Sequence, residues 1–311
     1  MKNSILLLIA FVAVTFSACG GGGGGGGDRA DTPLQLRFNA VADGQEVNCG
    51  SDISGVGPDG GSRIGISDLR FYVSNVVAYD ESGKEIDTEI DYNDFQYKDS
   101  GGSVALIDLT SNTTGACANP ILAAEGTART NKVLSLLVDG SKKINGVAFD
   151  IGVPQRLMKE TIVNYTAEDA PSPLGELYWS WASGYRHFLF NFQIKNSNRT
   201  GEGYIHVGSR DCGGNGAQAL LDKEECGFVN NPKVMLTGFD PDKNEITVDV
   251  KRILQGASFA SEGHGSAGLG LACHSAPATT QPDCAPVFAN LGVSLETGQS
   301  NAAANSVFSY R

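Results

Sequence analysis

Apolar and polar residues alternate with a period of two along Leu34-Gln35-Leu36-Arg37-Phe38-Asn39-Ala40-Val41. That pattern gives an extended segment one apolar face. The stretch Ile66 to Tyr79 is dense in β-branched and aromatic residues and closes on Asp80-Glu81-Ser82-Gly83, a turn composition. Further strands are expected over Ser103–Leu109, Gly146–Val153 (stopped by Pro154), Trp179–Ile194, Gly203–Gly208, Val234–Gly238 and Glu245–Val250. The last two flank the turn Asp240-Pro241-Asp242-Lys243-Asn244. Helix signals are few, and Asn131–Val138 and Val250–Leu254 read as short helices. Many short strands without a βαβ rhythm predict a mainly all-β fold. The expected form is an antiparallel β-sandwich or barrel with a few short helices and long loops tied by disulfides.

The N-terminus follows other rules. Lys2 precedes a short apolar run, Ile5–Phe16, too short to serve as a permanent membrane span. The run ends in Phe16-Ser17-Ala18-Cys19, which resembles a bacterial lipobox, with Phe16 where Leu is usual. Cleavage before Cys19 and acylation of its thiol are expected, and the alternative is a plain secretory signal with an incidental Cys. Gly20–Gly27 is pure glycine, and the polar residues to Thr32 extend it as a tether. The expected plan is a signal peptide at 1–18, a lipidated glycine-rich tether at 19–32 and one β domain at 33–311. The chain is thus placed in the cell envelope as a periplasmic or cell-surface lipoprotein, at the outer membrane.

Composition narrows the partners. A 41% hydrophobic and 19% charged chain is not mostly disordered. A net charge of −12 would repel phosphates, so no nucleic-acid partner is expected. Of seven Cys, six remain once Cys19 is set aside: Cys49, Cys117, Cys212, Cys226, Cys273 and Cys284. An even number in an exported chain implies disulfides. Close spacing favours Cys212–Cys226 and Cys273–Cys284, which leaves Cys49–Cys117. No CxxC pair supports a thiolate metal site. There is no GxSxG, Walker A, HExxH or EF-hand sequence, and no acid, base or nucleophile set at known catalytic spacing. The expectation is a binding protein, not an enzyme.

The segment Tyr178–Phe188 holds both tryptophans, and strand geometry points Trp179 and Trp181 to one face. Core packing is the plain alternative. His206 stands alone in another expected strand, where hydrogen-bonded burial is the plain alternative.

Several motifs then follow one another in a specific order. They are Leu69-Arg70-Phe71-Tyr72-Val73-Ser74, Ala105–Leu109 before Cys117, Gly146–Pro154, Ser172-Pro173-Leu174 and Trp179–Tyr185. His206-Val207-Gly208-Ser209, Cys273-His274-Ser275 with Cys284, and Phe288–Gly292 complete the series. In that order, from about residue 34 to 293, the chain resembles the MbnP-like copper-binding proteins, the four-Cys partner of a metallo-mystery pair. The resemblance implies an exported protein that binds Cu(I). It also implies a di-haem partner of the cytochrome c peroxidase and MauG type, which oxidises a tryptophan to kynurenine. Trp179 and Trp181 match the family's tryptophan motif, and either is a candidate for modification and ligation. His206 matches the strand histidine and is the first candidate ligand. His274 falls at a position that varies in the family. His187, about 20 Å beyond Trp181 on a straight strand at roughly 3.3 Å per residue, nears Trp179 only if Ala182-Ser183-Gly184 turns the chain. His264 reads as a surface residue. Many relatives carry Asn-His where this chain has Met158-Lys159, and a Met158 thioether would suit Cu(I).

Overall fold

The alternation at residues 34–41 becomes strand β1 (Asp31–Ala42), whose inward positions Leu36 and Phe38 are fully buried. The computed structural model describes residues 31–111, 116–118, 123–125, 130–180, 184–197, 199–213, 225–260, 268–275 and 279–311, with backbone only at 116–118, 123–125 and 180. The expected signal, the glycine tether and Cys19 lie outside these residues, as do Trp181 and His264.

Two sheets carry the fold. The smaller runs in the order Phe308–Tyr310, Ile246–Asp249, β1, Val133–Asp139, Thr88–Ile90, with Gln45–Glu46 paired to β1. The larger is built on the long strand β2 (Ser62–Asp80), with β3 (Ile144–Ile151) on one side of it. On its other side, β5 (Gly184–Asn196) pairs with β2, and β4 (Tyr178–Ser180) pairs antiparallel with the start of β5. Then come β6 (Arg199–Gly208) and β7 (Gly270–Cys273). Phenylalanines from both sheets interlock between them. Phe38 meets Phe71 and Phe149 edge-on at 5.9 and 5.8 Å, and Phe308 meets Phe71 at 5.6 Å. The fold is therefore a sandwich around an aromatic core.

The sheets are mixed. Most pairings are antiparallel, but β1 runs parallel to Ile246–Asp249 and β6 runs parallel to β7. The reading of Asn131–Val138 as a helix is corrected: Val133–Asp139 is a strand paired with β1, and its Leu134, Leu136 and Val138 are buried every second residue. Period-two burial against a partner strand overrides the residues' good helix propensity. Val250–Ile253 does form a helical turn, capped by the Asp249 carboxylate. A longer helix, α1 (Gln155–Asn164), follows Pro154. Proline marked the end of a strand in the sequence, and here it also opens the first turn of a helix.

Residues of β5 alternate between two cores. Phe188, Phe190 and Phe192 face the sandwich interior, while Leu189 joins a second cluster with Tyr72, Leu106, Tyr185 and α1's Leu157, Met158 and Ile162. This outer face of the larger sheet carries the polar groups described next. Cys212–Cys226 and Cys273–Cys284 are disulfides, as their spacing predicts. Cys49 is also disulfide-bonded, and the expected partner, Cys117, lies outside the described side chains.

Candidate metal centre

Three rings from three strands, or their ends, converge on the outer face. Trp179 comes from β4, His206 from β6, and His274 directly follows β7. The His206 and His274 centroids are 5.0 Å apart, and the Trp179 indole lies 6.2 Å from each. All three are half-buried.

Backbone pairing explains the convergence. The parallel ladder between β6 and β7 ends at Ile205–Cys273, so the next residue on each strand is a histidine. Ser275 then locks the two chains. Its hydroxyl accepts from the Gly208 N–H at 2.8 Å and donates to the His206 carbonyl at 3.1 Å. The Cys273–Cys284 disulfide and the bond from the His274 N–H to Gln281 Oε1 (3.0 Å) hold the other side. Trp179 can reach the pair because residue 208 is glycine. A Cβ there would lie 2.5 Å from the Tyr185 carbonyl and 3.1 Å from Cζ3 of the indole.

The imidazole of His206 is kept neutral. Burial, and after it the positive charge of Arg186 and the neighbouring His274, push its pKa down to about 3. Its Nε2 meets Asn191 Oδ1 at 2.8 Å. With that oxygen accepting, the proton resides on Nε2 and Nδ1 keeps its lone pair. Neutral imidazole is the form that binds metals. Tyr204 packs edge-on against the ring at 6.0 Å and donates its hydroxyl to Glu202.

The other sequence-predicted residues are placed elsewhere. The two strands on either side of 181–183 do pair antiparallel, with Tyr178 opposite Tyr185 and Ser180 opposite Gly184, while Ala182 and Ser183 lie outside the described residues. Even so, His187 turns into the interior and is fully buried. Its Nδ1 accepts from the Val153 N–H at 3.3 Å, and its Nε2 meets Ser209 Oγ at 2.7 Å. Both nitrogens are thus engaged, and burial holds the pKa down at about 3. Met158 is buried on α1 against Gly184, whose positive φ of 79° admits no Cβ beside the thioether. Asp240 and Asp242 form the expected turn, in which Asp240 Oδ1 accepts from the Asp242 N–H.

Sequence reasoning passed over Arg186. The register between β5 and β6 slips by one residue between Arg186–Gly208 and Phe188–Val207, and His187 is the extra residue. Bulges re-aim side chains in this way. Arg186 lies opposite Gly208, the residue that the indole covers. The signal was present as Tyr185-Arg186-His187, but no periodicity argument places a bulge there.

Among the described residues, no three His, Cys, Asp or Glu side chains group as metal ligands. Two imidazoles bound to one ion at about 2.0–2.1 Å per nitrogen have their centroids roughly 5–6 Å apart, which the 5.0 Å pair fits. Among the described residues, Trp179 is the third ring at this site.

The solved structure of MbnP from Methylosinus trichosporium superimposes with a TM-score of 0.69. It is 24% identical and covers 90% of this chain and 98% of its own, a likeness that speaks to the fold. No curated protein matches. The family model for MbnP matches residues 31–275, well over half of the sequence. The chain belongs to the MbnP family.

Proposed function

We propose that this protein is a cell-envelope lipoprotein that binds copper as Cu(I), at a site made by His206, His274 and an oxidised Trp179. The single observation that carries this reading is the convergence of two imidazoles and one indole in a member of the MbnP family. Trp179 is chosen over Trp181 because its ring meets both histidines.

The donor chemistry supports the choice. An intact indole nitrogen is a poor ligand because its lone pair belongs to the aromatic system. Oxidation to kynurenine supplies an aniline-type amine and a carbonyl, which adds donors to a pair of neutral imidazoles. Cu(I) accepts low coordination numbers and is well served by imidazole. A di-haem enzyme of the peroxidase and MauG type is the proposed oxidant of the half-buried Trp179. Acylation of Cys19 would hold the protein at the membrane, and the glycine tether would give it reach. The copper is cargo, so the protein's role is to bind it and not to transform a substrate.

Peptide mass spectrometry of protein produced with and without the native di-haem partner tests this reading. The expected result is a Trp179 peptide that exchanges one carbon for one oxygen only when the partner is present, with copper retained through gel filtration. An unmodified Trp179 together with no retained copper would instead support a metal-free binding module of the same fold.

A further inference from the structure

The charge of Arg186 acts on the His206 imidazole, and Asp68 and Arg70 act on Arg186 with opposite signs. Nearby Arg70 is held by both oxygens of Asp68, at 2.8 and 2.6 Å, and by Glu176 at 3.1 Å. Arg186, by contrast, forms no ion pair among the described residues. Its Nη2 reaches only the Tyr178 carbonyl, at 3.4 Å, and its Nε is buried without a hydrogen-bond partner. A guanidinium kept for structure alone is normally satisfied by carboxylates or carbonyls.

Its position is set by the β-bulge at His187. Arg186 pairs with Gly208, the Trp179 ring lies over Gly208, and His206 is two residues along the same strand. Diagonal neighbours in an antiparallel pair are about 7–8 Å apart at Cα, within reach of a long side chain. The strand register therefore brings the Arg186 side chain within reach of His206, on which its positive charge acts.

We propose that Arg186 sets the charge selectivity of this site, favouring a monovalent ion over divalent ions. The inference rests on the copper-site reading above and assigns a role to a residue outside the ligand set. Coulomb repulsion scales with the charge of the bound ion, so one guanidinium opposes a dipositive ion twice as strongly as a monopositive one. Imidazole donors suit Cu(I) but do not by themselves exclude divalent ions. Neutral nitrogen ligands bind Cu(II) and Zn(II) readily, and the usual order of stabilities places Cu(II) highest among the divalent ions. The carboxylate that does act on Arg186, Asp68, already has both oxygens bound by Arg70.

The test measures Cu(I) affinity under anaerobic conditions and Zn(II) affinity by competition with chromophoric chelators. Both use full-length protein produced with its partner. Wild type, Arg186→Gln and Arg186→Lys are compared after thermal melting has established that each is folded. Arg186→Gln should raise Zn(II) affinity relative to Cu(I) by about tenfold or more, equivalent to about 1.4 kcal/mol. Arg186→Lys keeps the charge and should hold the ratio within about twofold of wild type. An Arg186→Gln protein with an unchanged ratio overturns the proposal, as does an Arg186→Lys protein that behaves like Arg186→Gln. Should neither variant fold, wild type alone decides, because Zn(II) bound as tightly as Cu(I) contradicts charge selectivity. Absence of Cu(I) binding in wild type has a different meaning. It removes the copper reading itself, and the selectivity proposal falls with it.

Discussion

The imidazoles of His206 and His274 meet edge-on with their centroids 5.0 Å apart, brought together by one parallel ladder and one serine. Replacing either ring by alanine should abolish copper retention through gel filtration. Both side chains are half-buried at the edge of the core, so the melting temperature of the metal-free protein should move by only a few degrees. Full copper retention in His206→Ala would remove that residue from the ligand set.

Gly208 is the contact on which the indole rests. Gly208→Ala forces a Cβ against the Tyr185 carbonyl and the Trp179 ring. Overpacking of this kind costs about 1–3 kcal/mol. The variant should lose stability in urea titration and also lose modification of Trp179 on co-production with the partner. A variant as stable as wild type and fully modified would show that the ring is not seated there.

His187 and His206 both have pKa values pushed down to about 3 by burial. An unfolded histidine titrates near 6.5. Between these values the unfolded chain binds protons that the folded protein refuses, so the folded state loses stability as pH falls. The urea midpoint should be flat above about pH 7 and decline from about pH 6.5 downwards. The window from about pH 6.5 to 5 is the informative one, since carboxylates titrate mainly below it. A midpoint constant across that window would mean that the rings are not held neutral.

The Cys273–Cys284 bridge secures the segment that carries His274. Removing it with a Cys273→Ala, Cys284→Ala pair should lower stability by about 2–4 kcal/mol and weaken copper retention. The Cys212→Ala, Cys226→Ala pair should lower stability without the same loss of copper. Equal effects on copper from the two pairs would show that the first bridge has no special part in placing His274.

Much of this was legible in the sequence because alternation is a local signal. Leu36 and Phe38 disclosed β1, and the spacing of four cysteines disclosed two bridges. Long-range pairing was not legible. His274 meets His206 through a parallel ladder, which leaves no mark in either segment alone. His187 and Arg186 were hidden by a single-residue bulge, which exchanges the faces that simple alternation would assign. The strand Val133–Asp139 was misread because leucine and valine fit either period, and β1 was needed to choose between them.

The ladder that joins β6 to β7 also has a temporal meaning. Its two strands are separated in the chain by the whole segment from Ser209 to Leu269, so a nascent polypeptide that ends between them holds His206 and not His274. The paired imidazoles therefore come together only once nearly all of the polypeptide is free to fold, and on the proposed copper reading a half-made molecule has no complete site in which to trap stray metal.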